Sequence, residues 1–316
     1  MRESCTSVSP QVPPTDFLRT RMGLGTWALG GGSDWGVTSE IDAQNTLHAA
    51  LDNGLNWIDT APIYGAGIAE ERVGRAVKGK RAQIWLATKC GISLCGGRPD
   101  HDLRPASIFA ECESSLRRLQ TDYIDLYQIH WPDPKIPLTD SLGALVRLQE
   151  QGKIRYIGVC NFSREQVEQA SALVPIASVQ GQFSLLDNKA KELVSLCHAR
   201  GIAFWAYGVL GGGILSGKYK QMPNLRKCDA RRYFYKYYFG EDFTCATQVA
   251  SRVQEVARQK QVPATAVALA SVLQFGGVKG VLVGARNVLQ VQENIRAREV
   301  NLTEQEQQFL WAGQKK

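Results

Sequence analysis

Five short apolar segments of this sequence each end in a side chain that can donate or accept a hydrogen bond. The segments end with Trp57-Ile58-Asp59, Ala87-Thr88-Lys89, Gln128-Ile129-His130, Cys160-Asn161 and Gln180. A carboxylate, an ammonium and an imidazole can hold and move protons, and the amides of Asn and Gln can hold a polar ligand. A single polar residue at a strand end is explained by contact with solvent. Five that meet at one edge of a sheet indicate a shared site.

Short apolar runs alternate along the chain with stretches of helical periodicity, which indicates strand–helix units and a parallel sheet. The eight predicted strands are residues 22–26, 55–59, 83–89, 123–129, 156–159, 176–180, 202–207 and 280–283. Eight parallel strands can close into a barrel, whereas six favour an open doubly wound sheet. No G-x-G-x-x-G fingerprint supports the open sheet, since Gly23-Leu24-Gly25 leads into Thr26-Trp27. The predicted fold class is α/β, a (β/α)8 TIM barrel with these polar residues on its C-terminal rim.

Helices are predicted between the strands. They include residues 39–53, 105–119, 139–150, 163–173 and 189–200. Ser39 and Ser163 are of a type that begins helices, and Gly54 and Gly201 are of the type that follows their ends. These caps support the predicted boundaries.

The longest interval between strands starts with a long loop, from the triple glycine at residues 211–213 to about residue 244. Loops of this length in a compact domain usually have a function. Both a mobile cover and a segment packed permanently on the barrel rim are compatible with its composition. Two helical runs follow, near residues 245–260 and 263–274, and one of them should be the seventh barrel helix.

The composition is that of an ordinary globular protein, with 44% hydrophobic and 21% charged residues in a chain of 316. We predict a short disordered tail over residues 1–16, which lack an apolar signal segment, and a single barrel domain over residues 17–316. No run of 18 apolar residues is present, so no membrane span is predicted. The eight cysteines include no C-x-x-C pair and the four histidines lack zinc-ligand spacing. We therefore predict no metal site, reduced thiols and a cytoplasmic location.

The chain is basic, with 37 Lys and Arg against 30 Asp and Glu and a formal net charge of +7. Such an excess is found in proteins that bind nucleic acid, membrane surfaces or anionic small molecules. The densest cluster, Arg226-Lys227 with Arg231-Arg232, precedes an aromatic run at residues 233–239. Interleaved basic and aromatic side chains can stack on single-stranded bases. We favour a loop packed over a pocket, and predict no nucleic-acid partner.

One set of motifs resembles the catalytic signature of the aldo-keto reductases. It consists of Asp59-Thr60-Ala61-Pro62-Ile63-Tyr64-Gly65, Ala87-Thr88-Lys89 and Gln128-Ile129-His130. All four members of that family's tetrad have a match, in Asp59, Tyr64, Lys89 and His130. The resemblance covers roughly residues 17–300. It is nearest to the bacterial general-stress reductases and more distant from the potassium-channel β subunits.

The resemblance implies an NADP(H)-dependent oxidoreductase that reduces an aldehyde or ketone to an alcohol. Tyr64 would be the general acid. A phenol with a pKa of ~10 is a poor partner near neutral pH, so we expect Lys89 to lower the pKa of Tyr64. Asp59 would keep Lys89 charged and in place, and His130 would orient the carbonyl group. Hydride must come from a nicotinamide, because no side chain can deliver it.

The resemblance also implies a cofactor site and a substrate pocket. The implied cofactor contacts are Gly25, Thr26, Trp27, Asp59, Asn161, Gln180, Tyr207, Gly208, Leu210, Ser216, Gly217, Lys218, Arg226, Gly284, Arg286, Gln290, Glu293 and Asn294. The implied substrate pocket is Trp27, Tyr64, His130 and Trp131, with further walls from Trp35 and residues 233–239.

Individual roles follow from the same resemblance. Tyr207 would stack on the nicotinamide, and Asn161 and Gln180 would hold its carboxamide. Lys218 and Arg226 would meet the pyrophosphate in a cofactor-binding loop after strand seven. Arg286, before the last barrel helix, would meet the 2′-phosphate, since a helix N-terminus attracts phosphate. The family often has Pro-Lys-Ser where this chain has Val283-Gly284-Ala285, so one phosphate-binding cation is missing.

Two other functions are compatible with the residues. A barrel that holds NADP(H) and regulates a partner as a redox sensor can keep the tetrad with little turnover. An unrelated barrel enzyme, such as a phosphate-binding isomerase or lyase, would need no nicotinamide. Turnover of simple aldehydes distinguishes a reductase from the redox sensor. Binding of NADPH distinguishes a reductase from the unrelated barrel enzyme. The residues predict a small carbonyl substrate. They do not predict which compound it is, the physiological direction of the reaction or the oligomeric state.

Overall fold

The computed structural model describes residues 21–95 and 98–312. Its strands are β1 (Met22–Gly25), β2 (Trp57–Asp59), β3 (Trp85–Cys90), β4 (Ile92–Cys95), β5 (Arg98–His101), β6 (Ile124–Ile129), β7 (Ile154–Cys160), β8 (Ser178–Gln182), β9 (Ala203–Tyr207) and β10 (Val278–Gly284). Eight of them close into a barrel in the order β1-β10-β9-β8-β7-β6-β3-β2, and the neighbours pair in parallel. The predicted (β/α)8 TIM barrel is confirmed. Each predicted strand overlaps one barrel strand.

Helices surround the barrel. The α-helices are α1 (Gly32–Trp35), α2 (Glu40–Asp52), α3 (Ile68–Ala76), α4 (Pro105–Leu119), α5 (Leu138–Glu150), α6 (Arg164–Leu173), α7 (Lys191–Ala199), α8 (Ala230–Tyr233), α9 (Gly240–Lys260), α10 (Ala264–Leu273), α11 (Val288–Ile295) and α12 (Glu304–Trp311). Short 3-10 helices are Trp27–Gly30, Arg81–Gln83, Gly211–Ser216, Lys236–Tyr238 and Arg296–Arg298.

The predicted helix caps are present. The Ser39 hydroxyl accepts a hydrogen bond from a backbone N–H in the first turn of α2. Ser163 and Gln166 form a reciprocal capping box at the start of α6. Gly54 and Gly201 follow α2 and α7 with left-handed φ angles of 73° and 69°, which glycine adopts without a steric penalty.

An antiparallel hairpin of β4 and β5 lies outside the barrel, immediately after β3. The sequence analysis did not predict it. Its second strand, with the sequence Arg-Pro-Asp-His, has low strand propensity, and proline is tolerated only at a sheet edge. Local sequence preference therefore does not predict this hairpin.

The N-terminal half of the barrel interior is filled by apolar side chains. The buried rings of Trp57 and Trp205 stack with centroids 4.5 Å apart and an interplanar angle of 11°. Gly23 makes this packing possible, because a Cβ atom there would lie 2.0 Å from Cδ1 of Trp57. The barrel is thus a packed core at this end, and its polar side chains gather at the other end.

The long segment after β9 is packed onto a second apolar cluster. Tyr235, Tyr237 and Tyr238 are buried there with residues of α9, whereas Tyr233 and Phe239 are exposed. A segment packed in this way is compatible with both predicted descriptions of the loop, which stay predictions. Helix α10 is buried over residues 265–273, so it is the seventh barrel helix, and α9 covers it.

Two further features concern the described residues alone. No helix within residues 21–95 and 98–312 has the length and apolar character needed to cross a membrane. The same part of the chain holds no group of three or more His, Cys, Asp or Glu side chains arranged to hold a metal ion. The predicted tail at residues 1–16 lies outside the described residues.

The tryptophan stack generates a prediction about stability. Gly23→Ala should lower the free energy of unfolding by about 1–3 kcal/mol, because the added methyl group overpacks a rigid buried ring. Gly143→Ala is the matched control. A Cβ atom at Gly143, in α5, meets nothing within 4 Å, so that change should stabilise the protein by roughly 0.5–1 kcal/mol. Urea denaturation measures both; equal effects of the two changes would contradict the packing described here.

Candidate active site

The ammonium group of Lys89 is the centre of the polar cluster at the C-terminal rim. Its Nζ donates to Oδ1 of Asp59 at 2.6 Å, to the carbonyl oxygen of Thr60 at 2.9 Å and to the hydroxyl of Tyr64 at 3.3 Å. An ammonium has three N–H donors, and these three acceptors use all of them. Strands β2 and β3, which are neighbours in the barrel, therefore hold the Lys89 ammonium in one position.

Asp59 is the counterion of Lys89, and both side chains are buried. The second carboxylate oxygen of Asp59 accepts hydrogen bonds from Nε2 of Gln180 at 2.9 Å and of Gln128 at 3.3 Å. Burial alone would lower the pKa of Lys89, but the charge of Asp59 and the nearby Tyr64 raise it above its ordinary value. Lys89 is thus a permanent cation at neutral pH.

Tyr64 is half-buried at the turn that follows β2, with Lys89 Nζ 5.0 Å from its ring centroid. Burial raises the pKa of Tyr64 to about 12, although the Lys89 charge and its hydrogen bond act in the opposite direction. The expected effect of Lys89 is confirmed in direction, since its charge and its hydrogen bond both lower the pKa of Tyr64, but the loss of solvation raises that pKa by more. Tyr64 therefore carries its proton at neutral pH.

His130 follows β6, and its ring meets that of Tyr64 edge-on with centroids 5.8 Å apart. Burial and the neighbouring Lys89 charge hold the pKa of His130 well below its ordinary value. The imidazole is consequently neutral, with one N–H donor and one acceptor nitrogen. A neutral donor and a protonated phenol thus lie side by side on the rim.

Asn161 connects three strand ends. Its backbone is left-handed, with φ of 62°, a conformation that Asn tolerates better than most residues. Its Nδ2 donates to the carbonyl oxygen of His130 at 2.9 Å, and its Oδ1 accepts from the Tyr207 hydroxyl at 2.7 Å. The predicted carboxamide ligands Asn161 and Gln180 therefore already have partners within the protein, and each amide still has unused hydrogen-bonding capacity.

Aromatic rings form a wall beside Tyr64. The Trp27 ring lies 6.0 Å from Tyr64, 5.4 Å from Trp35 and 5.2 Å from Phe234, measured between centroids. Phe234 is also 6.2 Å from Tyr207, so the packed segment after β9 reaches over the rim. Trp131, adjacent to His130, is half-buried. Three of the four predicted pocket residues, Trp27, Tyr64 and His130, are thereby brought together with Phe234.

The rim between β1 and β10 has no side chains at its strand ends, because Gly25 and Gly284 are paired there. Beside Gly25, the Thr26 hydroxyl donates to the backbone oxygen of Asp59 at 3.0 Å. Asn294, in α11, donates to the carbonyl oxygen of Gly284 at 3.4 Å. This gap leaves the backbone open to a ligand.

Arg286 is exposed next to this gap. Its guanidinium donates to the carbonyl oxygen of Val37 at 3.2 Å, and its backbone N–H donates to Gln290 at 2.8 Å. Helix α11 begins two residues later, with Asn287 as its cap. Glu293 lies half-buried further along α11. The predicted cofactor contacts Arg286, Gln290, Glu293 and Asn294 therefore lie along one helix and the turn before it.

The remaining predicted cofactor contacts lie in the segment after β9. Gly208 and Gly217 have left-handed φ angles of 68° and 73°. Between them the Ser216 hydroxyl donates to the carbonyl oxygen of Gly213 at 2.8 Å, and Leu210 is half-buried. Lys218 and Arg226 are exposed.

The chemical types of the residues on the rim, and their positions along it, fit a nicotinamide dinucleotide. Two amides, Asn161 and Gln180, and the ring of Tyr207 lie near Tyr64, as a nicotinamide ring and its carboxamide require. The exposed cations Lys218, Arg226 and Arg286 suit phosphate groups. The glycine-lined gap leaves room for a ligand to approach the backbone closely.

A model of the aldo/keto reductase family matches residues 21–310. The chain belongs to this family. Aldo-keto reductase YhdN of Bacillus subtilis (strain 168) is 41% identical over 245 residues, which cover 75% of this chain and 73% of that protein. NADH-specific methylglyoxal reductase of Escherichia coli (strain K12) is 32% identical over 308 residues, covering 92% and 93% of the two chains. The structure of the glycerol dehydrogenase AKR11B4 from Gluconobacter oxydans matches with a TM-score of 0.84 and 36% identity, over 92% of this chain and 90% of that one.

The family resemblance predicted from the sequence is therefore confirmed, and this aldo-keto reductase is an oxidoreductase related to enzymes of carbonyl reduction. Sequence analysis missed the contact of Gln128 with Asp59 and the Thr60 carbonyl as an acceptor for Lys89. Gln128 lies two residues before His130, and side chains two apart on a strand point to the same face. That alternation is a signal by which Gln128 could have been found.

Proposed function

We propose that this aldo-keto reductase uses NADP(H) to reduce aldehyde or ketone groups to alcohols, with Tyr64 as the general acid assisted by Lys89, Asp59 and His130. The observation that carries the proposal is the position of the Lys89 ammonium, which bonds to both the Asp59 carboxylate and the Tyr64 hydroxyl. The buried ion pair is thereby in direct contact with the Tyr64 hydroxyl, whose proton a carbonyl oxygen at the rim would take.

The side chains divide the chemistry among them. The nicotinamide cofactor supplies the hydride when bound. Tyr64 donates its proton to the carbonyl oxygen as negative charge develops there. Lys89 stabilises the phenolate that remains, since an adjacent cation favours the charged form. The neutral imidazole of His130 donates a hydrogen bond to the same oxygen and so orients the carbonyl group.

The cofactor would be held by the residues along the rim. Asn161 and Gln180 would bind the carboxamide, and Tyr207 would stack on the ring. Lys218 and Arg226 would face the pyrophosphate. Arg286 would read the 2′-phosphate and thereby decide between NADPH and NADH. Relatives at this level of identity differ in the cofactor they use, since the relative from E. coli, 32% identical, is named NADH-specific. Family membership alone therefore does not decide between NADPH and NADH.

The role of Tyr64 is tested by Tyr64→Phe. Reduction of aldehydes with NADPH should fall by about 10²–10⁴-fold, because the substitution removes a positioned general acid, while NADPH still quenches the protein fluorescence. Tyr123→Phe removes a hydroxyl at the other end of the barrel and should leave turnover unchanged. Activity of Tyr64→Phe above about a tenth of wild type would exclude Tyr64 as the acid. Binding of NADPH without turnover in the wild type would favour the redox-sensing subunit instead.

The role of Arg286 is tested by Arg286→Ala. The dissociation constant for NADPH should rise by about tenfold or more, because a charge-assisted hydrogen bond to phosphate is worth roughly 1.5–3 kcal/mol. The constant for NADH should change little. Arg296→Ala removes the same charge from an exposed arginine that pairs with Glu299, and should affect neither cofactor. Equal weakening of both cofactors by Arg286→Ala would show that Arg286 does not select the 2′-phosphate.

A further inference from the structure

We propose that Gln128 is a positioning residue of this site, which holds the Asp59 carboxylate in place and through it tunes the Lys89 ammonium and the Tyr64 hydroxyl. Gln128 touches neither substrate nor hydride, and acts through Asp59. The inference rests on the proposed function of the same site and adds a residue to it.

The contacts of Gln128 form one hydrogen-bonded chain across the barrel. Its Nε2 donates to Oδ2 of Asp59 at 3.3 Å, and the other oxygen of that carboxylate accepts from Lys89. The Sγ of Cys160 donates to Oε1 of Gln128 at 3.5 Å. The chain therefore runs from Cys160 through Gln128, Asp59 and Lys89 to Tyr64, across the neighbouring strands β7, β6, β3 and β2.

The orientation of the Gln128 amide follows from its two neighbours. The Asp59 carboxylate only accepts hydrogen bonds, so it requires the NH2 end of the amide. The Cys160 thiol is a weak donor and requires the carbonyl end. Burial raises the pKa of Cys160 well above its ordinary value, so the thiol keeps the proton that it donates. Both neighbours specify the same orientation.

Burial and the charge of Asp59 strengthen the hydrogen bond between Gln128 and Asp59. Gln128 and Asp59 are buried, and hydrogen bonds to a charged group are stronger than neutral ones and gain strength in a medium of low dielectric. The titratable groups that face the Lys89–Tyr64 pair are Asp59, Cys160, His130, Tyr207 and Tyr235. Among these, Asp59 carries the negative charge, and its charge raises the pKa of Tyr64.

Gln128 affects the pKa of Tyr64 through the charge distribution of Asp59. The amide of Gln128 draws negative charge towards Oδ2, away from the Lys89–Tyr64 side of Asp59. Without that amide the charge of Asp59 acts more strongly on Tyr64 and disfavours its phenolate. Oxidation of an alcohol, the reverse reaction, needs the phenolate as a base and should therefore require a higher pH.

The experiment uses Gln128→Met, which keeps the length of the side chain but removes both hydrogen bonds. We expect kcat for aldehyde reduction to fall by about tenfold, with KM and the dissociation constant for NADPH within about twofold of wild type. In alcohol oxidation, the pH at which kcat reaches half its maximum should rise by about half a unit or more.

Gln128→Glu supplies a second, independent readout. When neutral, the introduced carboxyl group can donate to Asp59 and restore the hydrogen bond. When ionised, it repels Asp59. Its kcat for reduction should therefore approach wild type at low pH and decline as pH rises, whereas the loss in Gln128→Met should not depend on pH in this way. If Gln128→Met does not fold, this pH dependence decides alone, and a profile like that of wild type overturns the proposal.

Ser178→Ala is the control for packing. Ser178 lies near Gln128 in the barrel interior, since a Cβ atom at Gly158 would meet both side chains, and its buried hydroxyl has no hydrogen-bond partner among the residues the structure describes. Its kcat and pH profile should match wild type. The proposal is overturned if Gln128→Met has wild-type kcat and pH profile, or if Ser178→Ala reproduces its effects. The proposed function fails separately, if Tyr64→Phe retains activity.

Discussion

The buried ion pair between Lys89 and Asp59 is the interaction on which the site depends. Removing two charges from water costs several kcal/mol per ion, and the attraction between them offsets this only when the other hydrogen-bonding groups are also satisfied. That condition holds here, since Lys89 uses its three donors and Asp59 accepts from Lys89 and two amides. A buried pair of this kind contributes little to stability over an apolar core of the same shape. Its value lies in a fixed positive charge next to one phenol.

The closed barrel brings together the side chains that surround this ion pair. Asp59, Lys89, Gln128 and Gln180 lie on four different strands, and only closure of the sheet brings their side chains to one point. Below them the stacked rings of Trp57 and Trp205 exclude water from the other end. The polar cluster therefore has protein on every side except the rim.

Most strands and helices were predicted from local features of the sequence. Apolar runs bounded by helix caps, such as Ser163 before α6, located the strands and helices to within a few residues. The hairpin of β4 and β5 was missed because its second strand has a sequence that disfavours strands. Its pairing with β4 is a contact that local propensity does not represent.

The candidate site was predicted in its members and in the direction in which Lys89 shifts the pKa of Tyr64, but not in the opposing effect of burial. The family motif named Tyr64 and Lys89, and the structure brings them into contact. The motif could not show that burial outweighs the Lys89 charge at Tyr64, because desolvation depends on how completely the surrounding chain covers the phenol. Gln128 escaped for a related reason, since its partner Asp59 is 69 residues away in sequence.

The central claim is that Asp59 and Lys89 act as one unit on Tyr64. A double-mutant cycle in kcat, measured with saturating NADPH and aldehyde, tests it most directly. If Asp59 acts through Lys89, the variant with both Asp59→Asn and Lys89→Met should be about as slow as Lys89→Met alone, within roughly twofold. Thermal unfolding of each variant establishes that it is folded. Losses that multiply in the double variant would contradict the account, because they would mean that the two residues act independently.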